Sequence, residues 1–252
     1  MKLTILERPT ALTAKDFRVR LEKELGELKG ELTASLALDG FSPKGWAKIR
    51  VTGEDSEIAS ELISSKFGLA HTELREIEVP GLYQAEITGS NERGLKFDVG
   101  LDSGGLNCVI PASNLIAQLA DGKPIHLEQV IECYCLYPGV RISVRVAGTK
   151  DNEIEAWLSD GQIDRLARWI TTGLDRIQAF ECYRQEAESA VLKTHSSRDV
   201  IAVEPISLTL QSIVCKLGTD AVGLIPKLGY ILRKQKLRPF LPKKIIGRCR
   251  PW

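Results

Sequence analysis

The heptapeptide "VRISVRV", Val140–Val146, alternates without a break. Ile142, Val144 and Val146 fall on one side of an extended chain, and Arg141, Ser143 and Arg145 on the other. A period of two cannot place an apolar stripe on a helix, so this stretch is a half-buried β-strand. "LKFDVG" repeats the pattern, with Leu95, Phe97 and Val99 inward and Lys96 and Asp98 outward. "LYQAEI", "LNCVIP" and "EIEAWLSD" complete a set of five short strands between Pro80 and Leu158. Glycine before an apolar strand permits a sharp bend and close backbone packing, and Ile-Pro then ends the strand because proline has no N–H for the ladder.

"ASNLIAQL" and "PIHLEQVIECYCLYPG" read as short helical or irregular connections between the third and fourth strands. Five strands interrupted there have the layout of an OB-fold barrel, assigned to residues 80–158. Residues 1–70 have another texture. Phe17, Leu21, Leu25 and Leu28 form a helical stripe, with Thr13 and Asp16 at capping-box spacing and Gly30 as a stop. "WAKIRV" alternates as a strand, and Asp55 is placed to cap a helix carrying Ile58, Leu62 and Ile63. The order β-α-β-β-α suggests a small α/β unit of ferredoxin-like type. Ile163, Leu166, Ile170, Leu174 and Ile177 then space out a connecting helix over 159–187. Strand texture is expected again over 188–230 in "SAVLKT", "RDVIAVEP", "LTLQSIVCKLG" and "VGLIP". The fold class is therefore α+β and multidomain.

"GTDAVGLIPKLG", Gly218–Gly229, echoes "GLNCVIPASNL", Gly105–Leu115. The echo predicts a second, degenerate or partial barrel from about Ser189 unless the recurrence is chance. Directly after it, residues 227–252 hold nine Lys or Arg and no Asp or Glu. The other 226 residues hold 25 basic and 33 acidic side chains, so a net charge of +1 conceals an acidic body with a basic end. Such asymmetry points to a polyanionic partner. Three prolines after Arg238 argue against one continuous helix there.

Residues 80–160 resemble the RNA-binding OB domain of the largest bacterial small-subunit ribosomal protein and of polynucleotide phosphorylase. The resemblance is carried in order by Gly81, by Gly94 before "KFDVG", by "GGLNCVIPASNL", by "PGVRISVRVAG" and by "IEAWLSD". Asn107 and Cys108 stand where that family has a small glycine, the link from Leu115 to Pro138 is long, and Tyr83 and Phe97 are the remaining candidates for its stacking aromatics. The whole chain also resembles a group of conserved archaeal proteins of this length, a likeness that implies no particular activity.

The resemblance implies RNA as the partner, with Tyr83 and Phe97 stacking on its bases; by their outward placement Arg93, Lys96, Arg141 and Arg145 of the barrel could line a groove that tracks phosphates. The basic end adds Lys227, Arg233, Lys234, Lys236, Arg238, Lys243 and Lys244. Arg141 and Arg145 could equally pair with neighbouring acids. Motifs for chemistry are missing: there is no phosphate loop, no GxSxG elbow and no HExxH. His71, His126 and His195 lie far apart in sequence. Cys133 and Cys135 form CxC near His126, but six scattered cysteines read better as reduced, buried thiols than as metal ligands. No cofactor or metal is expected. The expectation is a cytoplasmic, non-catalytic RNA-binding protein associated with the ribosome, translation or RNA processing. A protein-interaction adaptor using the barrel and the α/β unit is the alternative.

Overall fold

A computed structural model describes residues 1–71, 73, 76–102, 107–150 and 153–249. Among these are eight helices, two open sheets and one closed barrel. The N-terminal unit consists of β1 (Lys2–Thr4), α1 (Phe17–Lys29), β2 (Ala34–Phe41), β3 (Ala47–Gly53) and α2 (Ser56–Phe67). Its antiparallel sheet has the order β1-β3-β2. A single antiparallel bridge, Ile5 to Leu69, lies where a fourth strand would join β1. Ala47, Ile49 and Val51 alternate inward against Phe17, Leu21, Leu25, Ile63 and Phe67. Burying each of these side chains other than Ala47 contributes about 1.5–3 kcal/mol relative to exposure.

Two local expectations for this unit fail. Asp16 makes no side-chain cap, and Thr13 accepts from the Thr10 amide at 2.8 Å rather than from an amide of α1. On α2 the buried positions are Ala59, Ser60, Ile63 and Phe67, while Ile58 and Leu62 face solvent. Asp55 precedes α2 but accepts from the Thr33 amide at 2.7 Å, tying the helix start to the loop before β2.

The barrel comprises β4 (Gly81–Asn91), β5 (Gly94–Asp98), β6 (Asn107–Pro111), β7 (Arg141–Lys150) and β8 (Glu153–Leu158). It closes in the order β4-β5-β6-β8-β7, with β6 and β8 parallel and the other pairs antiparallel. This is compatible with an OB-like fold. Helices α3 (Ala112–Ala120) and α4 (Leu127–Tyr134) fill the interval between its third and fourth strands. Leu95, Phe97, Ile142, Val144 and Val146 point into the core, as their alternation requires. Gly94 is needed at its corner, because a Cβ there would lie 2.0 Å from the Ile110 carbonyl oxygen. Residues 103–106, including the Gly105 that opens the first echo, lie outside the described residues.

Beyond the barrel the expectation needs correcting. The connecting helix α5 (Asp160–Thr171) is short, and β9 (Arg176–Phe180) follows as a fully buried strand. "SAVLKT" belongs to helix α6 (Arg184–Lys193). β10 (Val200–Ser207) and β11 (Leu210–Cys215) form a hairpin, and "VGLIP" lies in helix α7 (Ala221–Ile231), with Pro226 inside it. β12 (Lys236–Phe240) and α8 (Pro242–Arg248) complete the described chain. The strands form an open antiparallel sheet, β10-β11-β9-β12, so the C-terminal unit is not a second barrel. Pro111 ends a strand and caps α3, whereas Pro226 sits within a helix, so the echo carries no common structure.

One sheet face buries Ile177, Ala179, Ile213 and Cys215 with apolar residues of α6 and α7. The other supplies Phe180, Leu210 and Phe240 to the barrel's core. A buried charge pair marks the place where all three units meet. Arg141 of β7 lies 3.1 Å from Glu7 and donates to the carbonyls of Leu6 and Phe67. Glu7 accepts from the Leu208 amide at 2.9 Å. Breaking a buried pair of this kind is far more damaging than its net contribution to stability suggests. No helix among the described residues is long and apolar enough to cross a membrane.

Candidate nucleic-acid interface

The barrel positions its expected RNA contacts poorly. Arg141 projects outside the barrel as its alternation dictates, but the N-terminal unit covers it and leaves it 6% exposed. Its guanidinium is committed to Glu7 and two backbone carbonyls, so it cannot reach a phosphate. Phe97 is inside the barrel and cannot stack on a base. Tyr83 is 8% exposed, its hydroxyl accepts from the Glu78 amide at 2.6 Å, and its ring meets His71 edge-on at 4.8 Å. Arg93 and Arg145 are exposed but paired, with Glu153 at 2.6 Å and Asp160 at 2.9 Å. Lys96 is exposed on β5, and β8 presents Glu155 and Trp157 on the same outer surface. Trp157, 37% exposed and opposite Arg145 in the β7–β8 register, is an accessible aromatic of the barrel that the sequence expectations do not include. Its alternation with Ile154, Ala156 and Leu158 could have revealed it.

The C-terminal cations are arranged differently. Lys227 is on α7, Arg233 and Lys234 are in the loop that follows, Lys236 and Arg238 are on β12, and Lys243, Lys244 and Arg248 are on α8. β12 is one of the sheet's two edge strands, where Pro239 leaves only the solvent side of the strand without a ladder partner. Proline at the first position of α8 starts that helix without losing a backbone bond. The prolines thus divide the basic segment into a loop, an edge strand and a short helix. Phe240, Ile245 and Cys249 anchor it to the core. Arg250 lies outside the described residues.

Among the described residues only Lys244 of this set has a carboxylate partner, Glu132 at 2.5 Å. Lys244 holds the Glu132 carboxyl below its ordinary range, so the pair stays ionised at neutral pH. Lys236 and Arg238 project from the same face of β12, two residues apart, each into a depression beside the barrel. The first depression, of about 510 Å³, is lined also by Arg8, Lys44, Pro138 and Glu181. The second, of about 310 Å³, holds Arg238, Lys244, Tyr137 and Glu132. Tyr137 and Pro138 are consecutive, so the depressions adjoin along the seam between barrel and sheet. Within the first, Arg8 is paired with Glu86 and Lys44 lies 3.4 Å from Asp98, which leaves Lys236 as its unpaired cation among the described residues.

Two aromatic rings accompany these charges, and neither was singled out from the sequence. Arg238 lies over the Tyr137 ring at 5.3 Å, and Arg233 over that of Tyr230 at 4.8 Å. Tyr230 is 67% exposed. Burial pushes the Tyr137 hydroxyl above its ordinary value, so it remains a neutral hydrogen-bond donor at physiological pH. Cations beside flat rings can take a phosphate and a base together.

The cysteines and His126 do not make a metal centre among the described residues. All six thiols are buried, and burial pushes those of Cys135 and Cys249 up to about 12. His126 caps α4 and shares a capping box with Gln129.

No curated protein matches the chain. Two models of one family do: the DUF2110 N-terminal domain at residues 11–73 and the DUF2110 C-terminal domain at residues 174–238. The first covers most of the N-terminal unit and the second runs from β9 through the middle of β12, together about half of the chain with the barrel between them. With both terminal domains present in order, the chain belongs to the DUF2110 family.

Proposed function

We propose that this protein binds RNA through the basic edge of its C-terminal sheet, in the cytoplasm and in association with the ribosome or with RNA processing. The observation that carries the reading is a run of cations on α7, β12 and α8 of which, among the described residues, only Lys244 has a carboxylate partner, flanked by Tyr137 and Tyr230. The barrel, which we take as OB-like from its strand order and parallel closing pair, contributes a supporting surface of Lys96 and Trp157. Its paired arginines add little net field. Association with the translation apparatus rests on the resemblance of residues 80–160 to the ribosomal OB domain.

Attraction of this type is mostly phosphate-driven, with a slope of about −0.7 in log affinity per log salt for each neutralised phosphate on a single strand. The test is a titration of the full chain with single-stranded RNA across a salt series. With four or five phosphates engaged the slope should be about −3. Undetectable or salt-independent binding would overturn the reading. Truncation before β12 is no test, because it removes Phe240 and Ile245 from the core.

A protein-interaction adaptor is favoured by one observation, the exposed pair Ile58 and Leu62 one turn apart on α2. Partners that co-purify after nuclease treatment and are lost with Leu62→Glu would support it.

A further inference from the structure

The basic edge does not stop at the two depressions beside β12. A third, of about 500 Å³, is lined by Lys123, Pro124, Ile125, Gln129 and Arg248. Two helices join it to the depression that holds Arg238 and Lys244. On α8, Lys244 lines one and Arg248 the other, and a spacing of four residues puts both on one helix face. On α4, Glu132 and Gln129 stand in the same relation at a spacing of three. Both cations of α8 act on Glu132, whose carboxyl is held below its ordinary range first by Lys244 and then, more weakly, by Arg248. Lys123 and Arg248 have no carboxylate within ion-pair distance among the described residues. The three depressions therefore follow one another as a groove, from Lys236 past Arg238 and Lys244 to Arg248 and Lys123.

The two walls of this groove are unlike. The C-terminal segment forms one of them, with Lys236 and Arg238 from β12 and Lys244 and Arg248 from α8. Within each element the two cations are about 6–7 Å apart along the axis, two residues of strand or four of helix. The link between β6 and β7 forms the other wall and presents Pro124, Ile125, Tyr137 and Pro138, the prolines exposed and the other two half-buried. Its charges are Glu132, which Lys244 neutralises, and Lys123 at the far end. Phe180 holds the Tyr137 ring edge-on at 6.4 Å, and Arg238 lies over that ring, so a base seated there meets a guanidinium and an aromatic together. A duplex carries phosphates on both flanks and hides its bases, so it would set charge against the apolar wall. An extended single strand carries phosphates along one side and unpaired bases along the other, and it matches both walls at once.

We propose that this groove seats an extended single strand of RNA, with its phosphates along β12 and α8 and its bases against Pro124, Ile125, Tyr137 and Pro138. Lys123 and Arg248 are then binding residues at the end of the groove farthest from Lys236. The inference rests on the RNA reading and narrows it to single-stranded RNA.

The test measures the affinity of the full chain, by anisotropy at one low salt concentration, for three ligands. They are a mixed-sequence single strand of about 16 nucleotides, its duplex with the complementary strand, and a strand of equal length built from abasic ribose units. The intact single strand should bind at least about tenfold more tightly than either of the others, although the duplex carries more phosphates. Lys123→Ala with Arg248→Ala should weaken the single strand and make its salt slope shallower by about 1.4, the loss of two phosphate contacts. Equal or tighter binding of the duplex, equal binding of the abasic strand, or an unchanged slope in the double variant would overturn the proposal and leave the RNA reading in place. Binding of none of the three would overturn the RNA reading and the proposal with it. The comparison of ligands uses the unaltered protein, so it remains decisive if the double variant does not fold.

Discussion

The barrel and the C-terminal edge both carry arginines and lysines that alternation places on an outer face, yet only one region keeps them available. On the barrel, Arg93 and Arg145 meet Glu153 and Asp160, and Arg141 is buried against Glu7. On the edge, Lys236, Arg238 and Lys243 have no carboxylate within ion-pair distance among the described residues. The difference arises because the barrel is surrounded by the acidic body of the chain, while the last 26 residues contain no acid at all. Outward orientation alone therefore does not make a phosphate contact. What surrounds the side chain decides it.

Arg141 and Arg238 give the sharpest contrast, with the largest expected effect. Arg141→Ala leaves Glu7 buried without its counter-charge and should destabilise the fold by about 3–5 kcal/mol, read by denaturant unfolding. Arg238→Ala should leave stability within about 0.5 kcal/mol and instead lower RNA affinity. If the two exchanged these phenotypes, the distinction between a junction cation and a binding cation would be broken.

How far this contrast is legible in the sequence depends on the link in question. The alternation of β5, β7 and β8 predicts their inward residues, and the stripe of Phe17, Leu21 and Leu25 predicts α1. "RIQAF" is buried on both faces, so it has no alternation to betray a strand, and its Ile177 fits a helical count by accident. "SAVLKT" is too short to show a period, and Pro226 disguises α7 as a strand end. Arg141 is correctly placed outside the barrel, but its neighbours come from residues more than 70 and 130 positions earlier. No local pattern contains that information. The basic edge is legible as composition, and Tyr230 stands only three residues before its Arg233, whereas the division between strand and helix and the partner ring Tyr137 are tertiary facts.

A second way to sharpen the comparison is charge reversal. Lys236→Glu, Arg238→Glu and Lys243→Glu together should reduce RNA affinity by at least about a hundredfold at low salt, measured by filter binding or anisotropy. Unchanged affinity would move the interface elsewhere. A smaller effect is expected where an edge cation is already neutralised. Glu132→Gln releases Lys244, so affinity should rise about two- to threefold at pH 7. Because Lys244 keeps the Glu132 carboxyl below its ordinary range, the same gain appears in the unaltered protein only when pH falls through that depressed value. A gain already present between pH 6 and 7 would show that another group is responsible.

The most direct measurement sets the two regions side by side, as salt slopes of single-stranded RNA affinity for two double variants. Lys236→Ala with Arg238→Ala should make the slope shallower by about 1.4, the loss of two phosphate contacts. Arg93→Ala with Arg145→Ala should leave the slope unchanged. The opposite pattern, an unchanged slope for the edge variant and a shallower one for the barrel variant, would contradict the account.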